Sequence, residues 1–179
     1  MVVSYQKILL FIILFCIVFL NGCGKNQQQE ITSTKPVEKE KTVNFLTGIE
    51  AEVSPYTRPA AVTVNNLEAS LPQYGISEAD IIMEFPVEGG ITRLMALYGD
   101  YKNVPDVCSG RSCRYYFPIF AKGFDAVYFC FGSNKLLGTP QLKKTDHFDG
   151  NKGYDRLFGR DPERKKTYPT EHTAYLKGP

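Results

Sequence analysis

Apolar and polar positions divide this chain into three stretches of different character. Behind Lys7, residues 8–20 form an uninterrupted, uncharged apolar run. It is shorter than the roughly 20 apolar residues of a spanning helix, and fits the about 7–15-residue core of a secretory leader behind a basic residue. Residues 24–47 are polar, mixed in charge and poor in aromatics. Such a stretch buries too little apolar area to offset chain entropy. Residues 23–47 therefore read as a flexible polar tether, reaching roughly 25 Å as a coil. From Gly48 onward the pattern is that of a folded domain, residues 48–179.

Within that domain, β-branched residues after Pro59 and a terminal Asn65-Asn66 pair predict a strand over residues 60–66. Residues 81–85 predict a second strand, Glu88-Gly89-Gly90 a tight turn, and the alternation of residues 91–98 a strand returning as a hairpin. The aromatic spacing of residues 111–120 predicts a helix despite Pro118, with Arg111 and Arg114 on one face. Residues 125–132 are apolar on both faces, as in a central strand. A short helix over residues 135–144 is expected to be interrupted by Gly138-Thr139-Pro140, and the tail from Asp146 reads as loop, with residues 160–166 a charged surface turn. Strands interleaved with helices place the fold in the α/β or α+β class, a mixed sheet with short flanking helices.

The 179 residues, 43% of them hydrophobic and 22% charged, suit one ordinary domain and exclude a disordered or collagen-like chain. A formal net charge of +2 lacks the basic excess of a nucleic-acid binder, so no nucleic-acid partner is expected. Lys7 is the only charge of the leader, so one fewer than the 21 basic residues faces 19 acidic ones in the remainder. That balance gives no net attraction to acidic polymers or lipid headgroups. No internal repeat is present.

Leu20-Asn21-Gly22-Cys23 closes the apolar run and resembles the bacterial lipobox. The resemblance implies that residues 1–22 are a lipoprotein signal peptide and that Cys23 becomes the first residue of the mature chain. Cys23 would carry a diacylglyceryl thioether, with palmitate-type acyl chains. Two or three such chains anchor stably where one is marginal. The implied location is the extracytoplasmic face of the cell membrane, with the membrane itself a partner through the lipid on Cys23.

Three separated motifs carry a second resemblance. Residues 58–66 (Arg-Pro-Ala-Ala-Val-Thr-Val-Asn-Asn), residues 87–96 (Val-Glu-Gly-Gly-Ile-Thr-Arg-Leu-Met-Ala) and residues 111–117 (Arg-Ser-Cys-Arg-Tyr-Tyr-Phe) resemble the YerB-like bacterial lipoprotein family, domain of unknown function 3048. Arg160-Asp161-Pro162 is similar to a later loop of that family. Two departures are visible: Cys108-Ser109 stands where the family has Gly-Pro, and Cys113 stands for a small residue. The family continues into a second lobe of similar size, so the resemblance implies the N-terminal lobe of a larger two-lobe protein, truncated here. The family's reaction is unsettled, and the resemblance implies no cofactor.

Candidate chemistry gathers at the predicted strand ends. Asn65, Asn66, Glu88, Thr92, Arg93, Arg111, Ser112 and Arg114 are the candidate binding residues, because ligands commonly sit at the ends of strands in such sheets. Arginine supplies fork-shaped donors for a carboxylate or phosphate. The structural alternative is that Glu88–Arg93 or Glu84–Arg111 ion pairs fix the turn. A carbohydrate hydrolase would need paired carboxylates, one with a raised pKa, and Glu84 with Glu88 is the available pair. Ser112 has no histidine at useful spacing, since His147 and His172 stand alone in the tail, so no serine triad is expected. Asp146-His147-Phe148-Asp149 is too sparse for a metal site, and none is expected. Cys108 and Cys113 could close a small disulfide loop in an exported protein, with Cys130 unpaired, but buried reduced thiols are the preferred reading.

These observations point to a membrane-anchored binding or accessory protein of the cell envelope, with a cell-wall or envelope-protein partner, and away from an enzyme. The alternatives are a cell-wall carbohydrate hydrolase using Glu84 and Glu88, and a nonfunctional truncated copy.

Overall fold

The computed structural model describes residues 42–51 and 57–179. The leader, Cys23 and most of the expected tether lie outside the described residues. β1 (Thr42–Val43) and β2 (Glu50–Ala51) form a small antiparallel hairpin. Asn44, between them, donates to Asp80 at 2.8 Å, and the same carboxylate accepts the Gly99 amide at 2.6 Å. A Cβ at position 99 would lie 2.8 Å from the Asn44 side chain, so glycine is what lets this hairpin dock. The packed region thus begins ahead of the expected boundary at Gly48.

The main sheet has five strands. β3 (Ala60–Asn65) is its middle member, antiparallel to β5 (Thr92–Tyr98) on one side and parallel to β7 (Val127–Cys130) on the other. β4 (Ile81–Pro86) closes one edge as the hairpin partner of β5, and β8 (His147–Asp149) closes the other, parallel to β7. β6 (Val107–Cys108), β9 (Phe158–Arg160) and β10 (Ala174–Leu176) make a second, antiparallel sheet with β10 in the middle. The helices α1 (Tyr116–Gly123) and α2 (Gly138–Leu142) complete the fold.

Period-two alternation sends β3 residues to two different cores. Ala60, Val62 and Val64 pack with Phe129 and with Val107, Phe158 and Leu176 of the second sheet. Ala61 packs on the other face with Met95, Leu97 and Tyr128 against Phe117 and Ala121 of α1 and Leu142 of α2. The main sheet is therefore covered on both faces, which is why β3 and β7 are buried along their whole length. The expected mixed α/β architecture is what the chain adopts, with β7 internal and β3 central.

Several expectations are corrected. The predicted helix over residues 111–120 begins only at Tyr116, because the stretch before it is held in extended pairing with β3 and with the segment after β7. Arg111 and Arg114 therefore do not share a helix face. Pro118 then falls in the first turn of α1, where its missing N–H has no intrahelical acceptor to lose. Likewise Gly138-Thr139-Pro140 does not interrupt a helix but starts α2.

The tail from Asp146 is not loop alone. It supplies three strands, one to the main sheet and two to the second. Each is three residues long, too short to show a periodicity in sequence. Nor is the 160–166 segment wholly a surface turn. Arg164 is only 7% exposed, donating to the carbonyls of Ser70, Pro72 and His172.

Candidate functional site

β3 and β7 pair only over Ala60–Val62 and Val127–Phe129, then diverge toward their carboxyl ends. Residues 109–113 fill the gap. Asn65 N–H donates to Ser109 O at 2.8 Å, Arg111 N–H to Thr63 O at 3.0 Å, Phe131 N–H to Arg111 O at 3.1 Å, and Cys113 N–H to Gly132 O at 3.0 Å. This wedge brings Arg111, Ser112 and Arg114 to the carboxyl ends of parallel strands, where open sheets place ligands. Gly110 is required at its start: a Cβ there would meet the Phe131 ring at 2.7 Å.

The expected residues separate into two groups around this wedge. Asn66 donates to Glu84 at 3.0 Å and to Thr92 at 2.8 Å, and Thr92 donates to Glu84 at 2.5 Å. That closed triangle ties the end of β3 to the β4–β5 hairpin. Asn65 is fully buried; its amide donates to His172 Nδ1 at 2.9 Å and its Oδ1 accepts the Leu67 amide at 3.4 Å. These bonds hold the scaffold together around both asparagines.

The charged group is centred on Ser112. Arg93, beside Asn65 in the sheet register, is 5% exposed and donates to both the carbonyl and the hydroxyl of Ser112, the latter at 3.1 Å. Its buried Nε has no partner. Burial, and then the neighbouring charges of Arg114 and Arg111, push its pKa down to about 10, still cationic at neutral pH. Arg114 donates to the same Ser112 hydroxyl at 3.2 Å and grips Glu88 with Nε, 2.6 Å and 2.5 Å from the two carboxylate oxygens. That hydrogen bond holds the Glu88 carboxyl below its ordinary range. The ion pair of the turn is thus Glu88–Arg114, not Glu88–Arg93 or Glu84–Arg111.

Two concavities open here. One, of about 280 Å³, lies between the 86–88 turn, Arg114, the tyrosines 115 and 116, and Leu137. The other, of about 190 Å³, is bounded by Arg111, Ser112, Phe131, Asn151, Arg160 and Glu171. Phe131 was expected only as part of a buried strand and His172 only as a lone tail histidine, while Asn151 and Glu171 lie in short tail segments without periodicity that give no signal of this site. Arg160 stands in the Arg160-Asp161-Pro162 segment that resembles the family's later loop.

The remaining candidates are occupied elsewhere. Asp146 pairs with Arg58 at 2.7 Å, His147 Nδ1 lies 2.9 Å from Thr145 O, and Asp149 accepts the amides of Gly132 and Asn151 at 2.7 and 3.0 Å. Among the described residues no three His, Cys, Asp or Glu side chains converge as metal ligands, and no helix is long and apolar enough to cross a membrane. Cys108, Cys113 and Cys130 are buried free thiols.

A covered mixed sheet with an arginine cluster at its strand ends defines a small α/β domain with a basic edge. The chain belongs to the family described as "Protein of unknown function (DUF3048) N-terminal domain", which it matches over residues 46–179. It is similar to "Putative lipoprotein YerB" of Bacillus subtilis (strain 168), 31% identical over 160 residues covering 85% of this chain and 46% of that protein. Its fold is that of the crystal structure of YerB from Bacillus subtilis, with a TM-score of 0.62 and 31% identity over 74% of this chain and 44% of that one. The chain thus spans about half the length of the relative it matches.

Proposed function

We propose that this protein is a lipid-anchored binding or accessory protein on the extracytoplasmic face of the cell membrane. In this reading Cys23 carries the anchor and residues 23–41 the tether, and the basic edge around Ser112 receives a polar, anionic ligand of the cell envelope. The observation that carries the reading is the gathering of Arg93, Arg111, Arg114 and Arg160 near the carboxyl ends of parallel strands, with Glu88 their only acidic ion-pair partner among the described residues. Buried and constrained guanidinium groups bind oxyanions more strongly than solvated ones, because their alternatives to the ligand are poor. The lipoprotein name of the YerB relative supports the anchor.

A hydrolase using Glu84 and Glu88 is the weaker reading. The Arg114 contact lowers the Glu88 pKa, the opposite of what a general acid needs. The two readings separate in one experiment on the full-length, detergent-solubilised protein. Co-sedimentation with purified cell wall, lost in Arg114→Ala and without clearing on a zymogram, supports the binding protein. A cleared band that disappears in Glu88→Gln replaces it with the enzyme.

A further inference from the structure

The 190 Å³ cavity has a chemistry of its own. Its floor is Phe131, whose ring is fixed between the backbones of Gly110 and Gly150; a Cβ on either would approach it to 2.7 Å. Arg160 lies over that ring, 5.6 Å from its centroid. Arg111 and Arg160 have no carboxylate partner among the described residues. Each makes one side-chain hydrogen bond, Arg111 Nη1 to Glu171 O at 3.1 Å and Arg160 Nη1 to Thr170 O at 2.7 Å. The same turn thus aims both guanidinium groups and leaves most of their N–H donors uncommitted.

That turn also delivers the cavity's single carboxylate. Glu171 Oε1 lies 3.4 Å from His172 Nε2. Asn65 donates to Nδ1 of that ring, so Nε2 carries the proton and faces Glu171. Burial first, and then the charge of Arg111, hold His172 below its ordinary pKa, so it is neutral and leaves the Glu171 charge in place. The Ser112 hydroxyl already accepts from Arg93 and Arg114, which leaves its own hydrogen to be donated. Two cations, one anion, a hydroxyl and the Asn151 amide thus surround a space smaller than the ~300–1,000 Å³ of drug-sized pockets.

We propose that this cavity binds the zwitterionic head of an α-amino acid, its carboxylate on Arg111 and Arg160 and its ammonium on Glu171. The inference rests on the binding-protein reading and deepens it. A simple oxyanion meets repulsion from Glu171, and a simple amine meets it from two arginines; a zwitterion satisfies both. The amino acid is either free or the end of a larger molecule. The cavity opens to solvent, and its size limits only the head.

The test is calorimetric titration of the full-length protein in detergent micelles with alanine, acetate, methylammonium, inorganic phosphate and a lysine derivative attached through its side-chain nitrogen to a soluble polymer. Alanine is expected to bind at least about tenfold more tightly than acetate or methylammonium, one charge-assisted bond being worth about that factor. Arg111→Lys and Arg160→Ala each weaken alanine about tenfold or more with the thermal midpoint retained, and Glu171→Gln closes the gap between alanine and acetate. Equal binding of the polymer-borne head assigns the site to a larger molecule's end, and its exclusion assigns it to the free amino acid. Phosphate or acetate binding as tightly as alanine, or no alanine binding by the folded protein, overturns the inference. Wall co-sedimentation that persists in that last case leaves the binding-protein reading standing.

Discussion

Arg164→Ala removes one buried side chain that three carbonyls of two backbone segments share. Its guanidinium donates to Ser70 O and Pro72 O at 2.6 Å each and to His172 O at 3.0 Å, and it stacks 4.1 Å from the Tyr168 ring centroid. Hydrogen bonds to a charged group are worth about 1.5–3 kcal/mol each, and a cation over a ring about 0.5–2 kcal/mol. The contacts share one side chain, so they do not add in full. The Pro72 carbonyl, only partly buried, can recruit water after truncation, whereas the Ser70 carbonyl loses its donor and the His172 carbonyl keeps only the weak Cys108 thiol at 3.9 Å. The expected loss is therefore about 3–5 kcal/mol, the range for breaking a buried charged network. That is a large part of the ~5–15 kcal/mol available to a domain, and about 10–20 °C in midpoint. Urea unfolding of the full-length protein at pH 7, followed by near-ultraviolet dichroism, measures it. Lys165→Ala, on the exposed neighbour, should stay within about 0.5 kcal/mol. An Arg164→Ala protein within about 1 kcal/mol of the parent would refute the claim that this side chain ties the 70–72 loop to the tail.

The other expectations concern anchoring, pH and packing. Cys23→Ser should abolish incorporation of a fatty-acid label and move the protein from the membrane to the soluble fraction; retained label would remove the lipid from the reading. His172 has a folded pKa held below its unfolded value of about 6.5, so the unfolded state takes up protons first and stability falls as pH drops from about 6.5 toward the folded pKa. The melting temperature should decline over that interval, and His172→Gln should flatten the decline; a flat parent curve would count against the buried neutral ring. Glu88 behaves likewise in a lower window: its depressed pKa contributes stability above about 4.3 that is lost as pH falls through the folded value, and Arg114→Ala should remove that component of the acid titration. Gly110→Ala should cost about 1–3 kcal/mol by driving a methyl into Phe131, while Gly123→Ala, where a Cβ meets nothing within 4 Å, should be neutral or stabilising. Equal melting of the two variants would show that the wedge tolerates a side chain.

What the linear pattern determined is local. Period-two alternation and turn chemistry locate the β4–β5 hairpin, and an apolar run without polar alternation marks β7 as covered on both faces, because these signals lie within a few residues of each other. The same holds for Asn66, Glu84 and Thr92, which a hairpin brings together. Tertiary structure alone decided the rest. Residues 111–113 of the wedge fell within the helix that aromatic spacing predicted over 111–120, yet β3 and β7 diverge and leave backbone groups that an inserted extended segment satisfies. Arg164 looked like a surface charge until two carbonyls of the distant 70–72 loop and that of His172 enclosed it. Asn151, Arg160 and Glu171 come from three short segments of the tail and meet Arg111 because long-range pairing folds them back onto the strand ends. A sequence shows which groups are neighbours along the chain; which charges share a cavity is set by how those short strands pair.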